Sequence, residues 1–241
     1  MNNIKFIYAA GAMGFYGEGH WFHKLFNFPK YPFITKTLTL SKKNGFPFAV
    51  IPFGRSVWNK VSLDNPGIVD WKHKYDNLKQ KPIFSYNTIS IYPIDQMELD
   101  FMINQIRYWF LGSVNIEINL SCPNTNRNNW DKIPLIINKY DGVDIWVKLN
   151  YKQNPLDLNL SNIQGIRLNS IPTKFGGVSG KWAQDKNWEF IQKYNKYINI
   201  SGCSWSTEKE LHDLIDMGCK EISIGSVIIT NPMLVEKLPY L

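Results

Sequence analysis

Eight short apolar runs of strand character recur along the whole chain, and this spacing constrains the fold more than any other feature of the sequence. Turn residues bound each run, and several runs are nearly continuous in valine, isoleucine, leucine and aromatic residues, which is typical of strands buried on both faces. The runs are Lys5–Gly11, Pro32–Thr39, Pro82–Ile89, Val114–Ser121, Asp144–Asn150, Ile163–Asn169, Tyr197–Gly202 and Glu221–Val227.

Helical periodicity is present between several of these runs. Apolar residues recur at helical spacing in Asp95–Phe110, Asn187–Tyr197 and Thr207–Met217. Ser206 is a candidate N-cap for the last of these segments, and Gly218 is a candidate C-terminal stop. The pattern therefore predicts strands that alternate with helices.

This alternation predicts an α/β fold, namely a closed parallel (β/α)8 TIM barrel that forms a single domain over residues 1–241. A doubly wound open sheet is the alternative. Its glycine-rich turn should follow the first strand, but Ala9–Gly14 is a poor version of that fingerprint. The longest irregular stretch runs from Ser41 to Pro66, and loops of that length are usually functional or mobile.

Charge and cysteine content narrow the class of function. The formal net charge is +7, but the lysines are scattered and the longest basic run is Lys42-Lys43, so no stripe for a nucleic-acid backbone is predicted. The three cysteines form no Cys-x-x-Cys pair, which argues against a zinc site and favours a reducing, cytoplasmic compartment. No apolar run approaches the length of about 20 residues that spans a bilayer, so no membrane partner is predicted.

Polar residues close most of the apolar runs, and in a barrel the chemistry lies at these carboxyl ends of the strands. Lys36 and Lys148 stand within such strands. Because an uncompensated buried ammonium group is costly, the two lysines predict an anionic or electron-rich partner in the centre.

The most specific segment is Asn119-Leu-Ser-Cys122-Pro-Asn124 at the end of the fourth run. The two asparagines offer paired donors and acceptors that match the amides of a pyrimidine ring, and the cysteine between them is a candidate base. This string resembles the signature of the soluble, cysteine-base dihydroorotate dehydrogenases and of the related dihydropyrimidine dehydrogenases.

Six further segments resemble the same family in the same order along the chain. They are Thr35–Leu40, Asn59–Gly67, Trp146–Leu149, Leu168–Ser170, the glycine-rich turn Phe175–Gly180, and Glu221–Ser226. A single short match is common by chance, whereas seven matches in one order, each at a predicted strand end, are specific together.

The resemblance implies an oxidoreductase that carries non-covalent FMN and oxidises (S)-dihydroorotate to orotate in de novo pyrimidine biosynthesis. Cys122 is the implied base, and Lys36 and Lys148 would stabilise the reduced, anionic flavin. The implied substrate-binding residues are Asn59, Asn65, Asn119, Asn124, Asn169 and Ser170. The implied cofactor-binding residues are Ala10, Gly11, Lys36, Thr37, Asn87, Asn119, Lys148, Gly177, Gly202, Cys203, Gly225 and Ser226. The implied partner is the small-molecule substrate, and a homodimer and the electron acceptor are left open.

Two departures from the family pattern leave alternatives open. Ala10-Gly11 replaces a Ser-Gly pair, and Gly202-Cys203 replaces paired glycines, so the Cys203 side chain could crowd the flavin phosphate. One alternative, favoured by the net positive charge and by the similar chemistry of dihydrouridine, is a flavin reductase similar to the tRNA dihydrouridine synthases. The other is a non-catalytic barrel that retained the scaffold of the dihydroorotate dehydrogenases.

Overall fold

Ten β-strands, divided among three sheets, organise the chain in a computed structural model that describes residues 4–45, 50–60, 63–122, 136–174 and 176–241. The strands are β1 (Lys5–Tyr8), β2 (Val50–Phe53), β3 (Ser56–Asn59), β4 (Thr88–Ile91), β5 (Val114–Asn119), β6 (Val143–Leu149), β7 (Gly165–Leu168), β8 (Ile171–Thr173), β9 (Gly176–Gly180) and β10 (Glu221–Ile224). The helices are α1 (Ile68–Asp76), α2 (Gln96–Trp109), α3 (Gln184–Tyr194), α4 (Glu208–Asp216), α5 (Val227–Thr230) and α6 (Pro232–Lys237).

The central element is a four-stranded parallel sheet in the order β4-β5-β6-β7. Ile116 lies in register between Ile89 and Ile145, and Val147 pairs with Ile166. All five side chains are buried, which explains why these segments read as nearly continuous apolar runs in the sequence. Each such side chain contributes about 1.5–3 kcal/mol by leaving water.

A two-stranded sheet and several single bridges add further parallel contacts beside this sheet. Strands β1 and β10 form a two-stranded parallel sheet. Single parallel bridges connect these two sheets, through Tyr8–Phe33 and Ile34–Thr88 on one side and through Ile166–Ile200 and Gly202–Ile222 on the other. The carboxyl ends of the parallel strands therefore face the same side of the molecule.

The remaining strands of the described residues form an antiparallel sheet in the order β2-β3-β9-β8. Strands β2 and β3 lie within the stretch Ser41–Pro66, which the sequence predicted to be irregular. Strand β9 covers the glycine-rich segment that was predicted to be a turn. Both predictions are wrong, because the two segments contain strands.

The (β/α)8 barrel predicted from the sequence is wrong. The described residues form sheets of two, four and four strands with six α-helices, and their ladders do not join into one eight-stranded sheet. Pro32–Thr39 makes only isolated bridges. At Ser90 the backbone N–H donates to the Thr35 side chain, Oγ1, at 3.0 Å instead of to a backbone carbonyl, which interrupts the ladder there. Tyr197–Gly202 likewise makes only isolated bridges.

Several expected connecting helices are also replaced by other structures. After β6 the chain forms two short 3-10 helices, Pro155–Asp157 and Leu160–Asn162, whose N-terminal N–H groups are capped by asparagine side chains. Proline and asparagine favour such turns over an α-helix. After β7 the β8–β9 hairpin takes the place of a direct connection to α3.

Three predicted helices are present with shifted ends. Asp95 caps α2 by accepting the Glu98 N–H at 2.8 Å, and α3 begins three residues before the predicted segment. The cap of α4 is Thr207 rather than Ser206, because Thr207 Oγ1 accepts the N–H of Glu210 while the Glu210 carboxylate accepts the N–H of Thr207. Within the described ranges, none of the helices combines the length and the apolar character needed to cross a membrane.

Candidate active site

A cavity of about 780 Å³ lies at the carboxyl ends of the parallel strands. Its lining comes from the ends of the parallel strands, from β2, β3 and β9 of the antiparallel sheet, and from residues 9–22. This volume falls within the range of about 300–1,000 Å³ that is usual for cofactor and ligand sites.

Most residues that the sequence predicted for the site line this one cavity. They are Ala10, Gly11, Lys36, Thr37, Asn59, Asn119, Cys122, Lys148, Asn169, Ser170, Cys203, Gly225 and Ser226. They come from segments that are far apart in the chain, so only the tertiary structure could bring them together.

Four predicted ligand residues do not line the cavity. Asn65 is buried and accepts the N–H of Gly67 at 2.9 Å, and Asn87 is buried and accepts the N–H of Phe33 at 3.0 Å. Gly177 pairs within the antiparallel sheet, and a Cβ on Gly202 would meet Ile222 at 2.6 Å. These four residues support the walls of the site. A fifth predicted residue, Asn124, lies outside the described residues.

A hydrogen-bonded network joins five of the lining residues that carry amide or hydroxyl groups. The amide of Asn59 donates to Ser170 Oγ at 3.2 Å, and the Ser170 N–H donates to Asn169 Oδ1 at 2.9 Å. The amide of Asn169 lies 3.4 Å from Asn119 Oδ1. Asn119 in turn donates to Thr37 Oγ1 at 3.3 Å, so these amides have fixed orientations toward the cavity.

Cys122 follows β5 on a backbone that neighbouring side chains hold in place. The N–H of Ser121 donates to Asn119 Oδ1 at 3.2 Å, and the Ser121 carbonyl accepts the Asn169 amide at 2.9 Å. Cys122 is half-buried and lines the cavity. A group placed in this way can reach a bound ligand without a large rearrangement.

The other two cysteines are poor candidates for a base. Burial raises the pKa of the Cys203 thiol to about 11, although the Ser204 hydroxyl at 3.8 Å partly opposes the shift. Burial also raises the pKa of Cys219 to about 12. Both thiols stay protonated near neutral pH, and since the thiolate is the reactive form, Cys122 remains the candidate base among the cysteines.

Each of the two predicted cavity lysines has a carboxylate neighbour that the sequence did not indicate. Lys36 Nζ lies 3.4 Å from Asp64 Oδ2, and Lys148 Nζ lies 3.7 Å from Glu117 Oε1. The lysine side chains are therefore not uncompensated, and their positive charge toward the cavity is moderated by these neighbours.

Two buried charged residues that line the cavity, Glu117 and Arg167, were also not predicted from the sequence to act in the site. Their guanidinium and carboxylate atoms lie 3.6 Å apart, and Arg167 also bonds Glu221 through two nitrogens at 2.9 and 3.2 Å. Burial by itself would raise the pKa of Glu221, but the Arg167 guanidinium, with smaller contributions from Lys5 and Ser201, holds this pKa below its usual range. The signal in the sequence was a charged residue inside an otherwise apolar strand, since such residues are buried only with a partner.

The lining residues fit a flavin mononucleotide. Gly11 has a φ of +83°, which favours glycine, and its missing side chain leaves the backbone open beside the aliphatic part of Lys36, 3.8 Å from where a Cβ would stand. The donor set contains two ammonium groups together with the hydroxyls of Thr37 and Ser226, all suited to an electron-rich ring or a phosphate. Cys203 is the one predicted contact whose side chain could narrow this space.

Neither a comparison with protein-family models nor one with curated proteins finds a match for this chain. A functional proposal for this protein therefore depends on the residues of the cavity and on the sequence motifs that place them.

Proposed function

We propose that this protein is an FMN-dependent dehydrogenase that oxidises dihydroorotate to orotate, a step of de novo pyrimidine biosynthesis. The observation that supports the proposal most is that Cys122 and Asn119, from the most specific motif, share one cavity with Asn59, Lys36 and Lys148. A reducing, cytoplasmic compartment is part of the proposal, because a thiol base has to remain reduced.

Substrate binding is assigned to the amide network. Asn59, Asn119 and Asn169 offer both N–H donors and carbonyl acceptors, which suit the ring amides of a dihydropyrimidine. Because their mutual hydrogen bonds hold the amides in place before binding, little ordering remains to be done when the ring binds. Ser170, which lies between β7 and β8 and accepts a hydrogen bond from Asn59, completes the set.

Proton abstraction is assigned to Cys122. Its thiolate takes the proton from ring carbon C5 while the hydrogen on C6 leaves with its electron pair, so that a C5–C6 double bond forms. FMN, when bound, supplies the two-electron chemistry by accepting that hydride. The half-buried position of Cys122 keeps the thiolate at the ligand while limiting the access of water.

Charge stabilisation is assigned to the two lysines. Lys36 and Lys148 line the cavity with side chains that are 27% and 12% exposed, so their charges act with less screening than surface charges. Ser226 lies beside Gly180, where an added Cβ would meet Ser226 Oγ at 3.0 Å, and we assign its hydroxyl to the flavin phosphate.

The test is a pair of titrations of the purified protein. Added FMN should bind and should be released by acid, because no covalent link is proposed. Orotate should then perturb the flavin spectrum, whereas uridine and bulk tRNA should not, since a site matched to a free ring has no place for ribose and phosphate. Buried amides left unpaired cost about 1–3 kcal/mol each, so an orotate analogue without one ring amide should bind roughly 5- to 150-fold more weakly.

Two results would contradict the proposal. A protein that takes up no FMN is not a flavin enzyme. Tight binding of tRNA without any response to orotate would instead favour a dihydrouridine synthase-like activity.

A further inference from the structure

Four charged side chains lie at the floor of the cavity and form a group that we call the floor cluster: Glu117, Lys148, Arg167 and Glu221. Their side chains are 0%, 12%, 3% and 2% exposed, so the cluster is almost completely removed from water. Buried charges interact strongly and are weakly screened by salt. Only Lys148 was predicted from the sequence to act in the site.

Glu117 is the hub of the floor cluster. Its Oε1 accepts the Ser90 hydroxyl at 2.9 Å and lies 3.7 Å from Lys148 Nζ, while its Oε2 lies 3.6 Å from Arg167 Nη1. Ser90 Oγ in turn lies 2.9 Å from Thr37 Oγ1, which belongs to the amide network of the cavity. The carboxylate is therefore shared between two cations, and a lysine-only pair would have been neutral.

Arg167 is held in one orientation by contacts on three sides. Glu221 accepts two hydrogen bonds from it, the Trp146 ring lies 4.2 Å from the guanidinium carbon, and Glu117 faces its remaining nitrogen. A guanidinium group stays protonated at every pH at which proteins are folded. Arg167 is thus a permanent, rigid positive charge under the cavity.

Lys148, Arg167 and Glu117 line the cavity, whereas Glu221 accepts two hydrogen bonds from Arg167 without lining it. Glu221 also lies 3.6 Å from Lys5 Nζ, so the three cations and two carboxylates of this connected group leave one unit of positive charge. Without Arg167, the Glu117 carboxylate would cancel the charge of Lys148.

We propose that Arg167 and Glu117 are positioning residues that set the charge which Lys148 presents to the cavity, and that together they make the cavity bind reduced, anionic FMN more tightly than oxidised, neutral FMN. This inference rests on the proposed function. It adds a role for two residues outside the set inferred from the motifs.

The experiment compares Arg167→Gln and Glu117→Gln, and it measures the midpoint potential of bound FMN together with the dissociation constant of oxidised FMN. Arg167→Gln should lower the preference for reduced FMN roughly tenfold, as expected for one partly screened charge. Glu117→Gln keeps the shape of the side chain and should raise that preference. Arg167→Lys keeps the charge and should stay close to the wild-type potential, and Arg107→Gln on α2, beside Asn104 and Tyr140, is the matched control for the loss of a distant arginine.

The opposite signs of the two shifts separate this inference from a purely structural role. A structural defect would weaken both redox forms of FMN alike and leave the potential unchanged. If Arg167→Gln does not fold, Glu117→Gln decides alone, and a fall or no change in its potential overturns the inference. Wild-type protein that binds no FMN would overturn the proposed function and this inference together, whereas wild-type FMN binding with unshifted variants would overturn only the inference.

Discussion

The parallel sheet β4–β7 and the antiparallel sheet β2-β3-β9-β8 enclose the same cavity, but they are built in different ways. Strand β4 buries all four of its residues, whereas strand β2 exposes all four of its own, including Ile51 and Phe53. The parallel sheet carries Glu117, Lys148 and Arg167 with their buried partners. The antiparallel sheet offers the cavity mainly apolar and small side chains, together with Asn59.

This difference indicates that the two sheets have different roles at the cavity. Polar groups on the parallel sheet are fixed by several buried contacts each, so they are suited to chemistry and to charge stabilisation. The antiparallel sheet is attached at its edge through Glu210, which faces Arg55 at 3.2 Å and Lys181 at 3.3 Å. It is therefore suited to holding a ligand in the cavity.

The largest effect is expected at Cys122, on the parallel side. Cys122→Ala should slow reduction of bound flavin by dihydroorotate about 10²–10⁴-fold, because general base catalysis contributes an effect of this size, while FMN remains bound. Stopped-flow absorbance measures the rate. Cys219→Ala is the matched control, since Cys219 does not line the cavity. Wild-type rates in Cys122→Ala would show that the base is another group.

The next largest effect concerns the stability of the two sides. Arg167→Leu should lower the free energy of unfolding by about 3–5 kcal/mol, because it leaves the Glu117 and Glu221 carboxylates buried without their partner. Arg55→Leu removes an arginine whose side chain is 47% exposed, and it should cost less than about 1 kcal/mol. Urea unfolding of both variants measures the contrast, and equal losses would contradict the proposed difference between the two sheets.

A smaller effect is expected at Asn59, on the antiparallel side. Asn59→Ala removes the donor to Ser170 Oγ and should raise the dissociation constant of orotate roughly tenfold. The rate of flavin reduction at saturating substrate should change little if this sheet mainly retains the ligand. Spectral titration and stopped flow separate the two quantities, with Asn104→Ala on α2 as a control. A large loss of rate in Asn59→Ala would contradict the different roles assigned to the two sheets.

The smallest effect concerns Glu210, which ties the antiparallel sheet to α4. Burial alone would raise the pKa of Glu210, but hydrogen bonds from Ser206, Gln184 and Lys181 outweigh burial and lower this pKa from 4.5 to about 2. A lowered pKa means that the ionised side chain stabilises the fold above pH 4.5 and loses this contribution as the pH falls toward 2.

Glu210→Gln should therefore cost about 1 kcal/mol at pH 7, the usual size of a helix cap, and the difference from wild type should shrink below pH 4.5. Urea unfolding at pH 7 and at pH 3 measures both values. Glu208→Gln changes an exposed carboxylate in the same helical turn and should stay within about 0.5 kcal/mol of wild type. A gap between Glu210→Gln and wild type that is constant with pH would mean that its ionisation does not matter.

Sequence reasoning located most of the parallel strands and failed for the antiparallel ones. Even among the parallel strands, the predicted run Pro82–Ile89 overlaps β4 only at Thr88 and Ile89. Runs such as Val114–Ser121 contain strands that the structure shows, because burial on both faces demands a continuous apolar sequence. Strand β2 is an exposed apolar run interrupted by Pro52, and β9 contains three glycines, so neither follows the pattern of a strand buried on both faces. The pairing of β9 with β3 depends on a partner far away in the chain, as in the contact between Val57 and Ser179, and local propensity does not record it.

The sequence by itself determined which residue types could act together: a cysteine between asparagines, two lysines in apolar runs, and glycines near the proposed phosphate. Chemical identity is a local property, and it can be read from the chain one residue at a time. The tertiary structure alone decided that Asn65 and Asn87 support the walls rather than line the cavity, and that Glu117 and Arg167 line its floor. Burial and charge pairing arise between distant segments, so they exist only once the chain has folded.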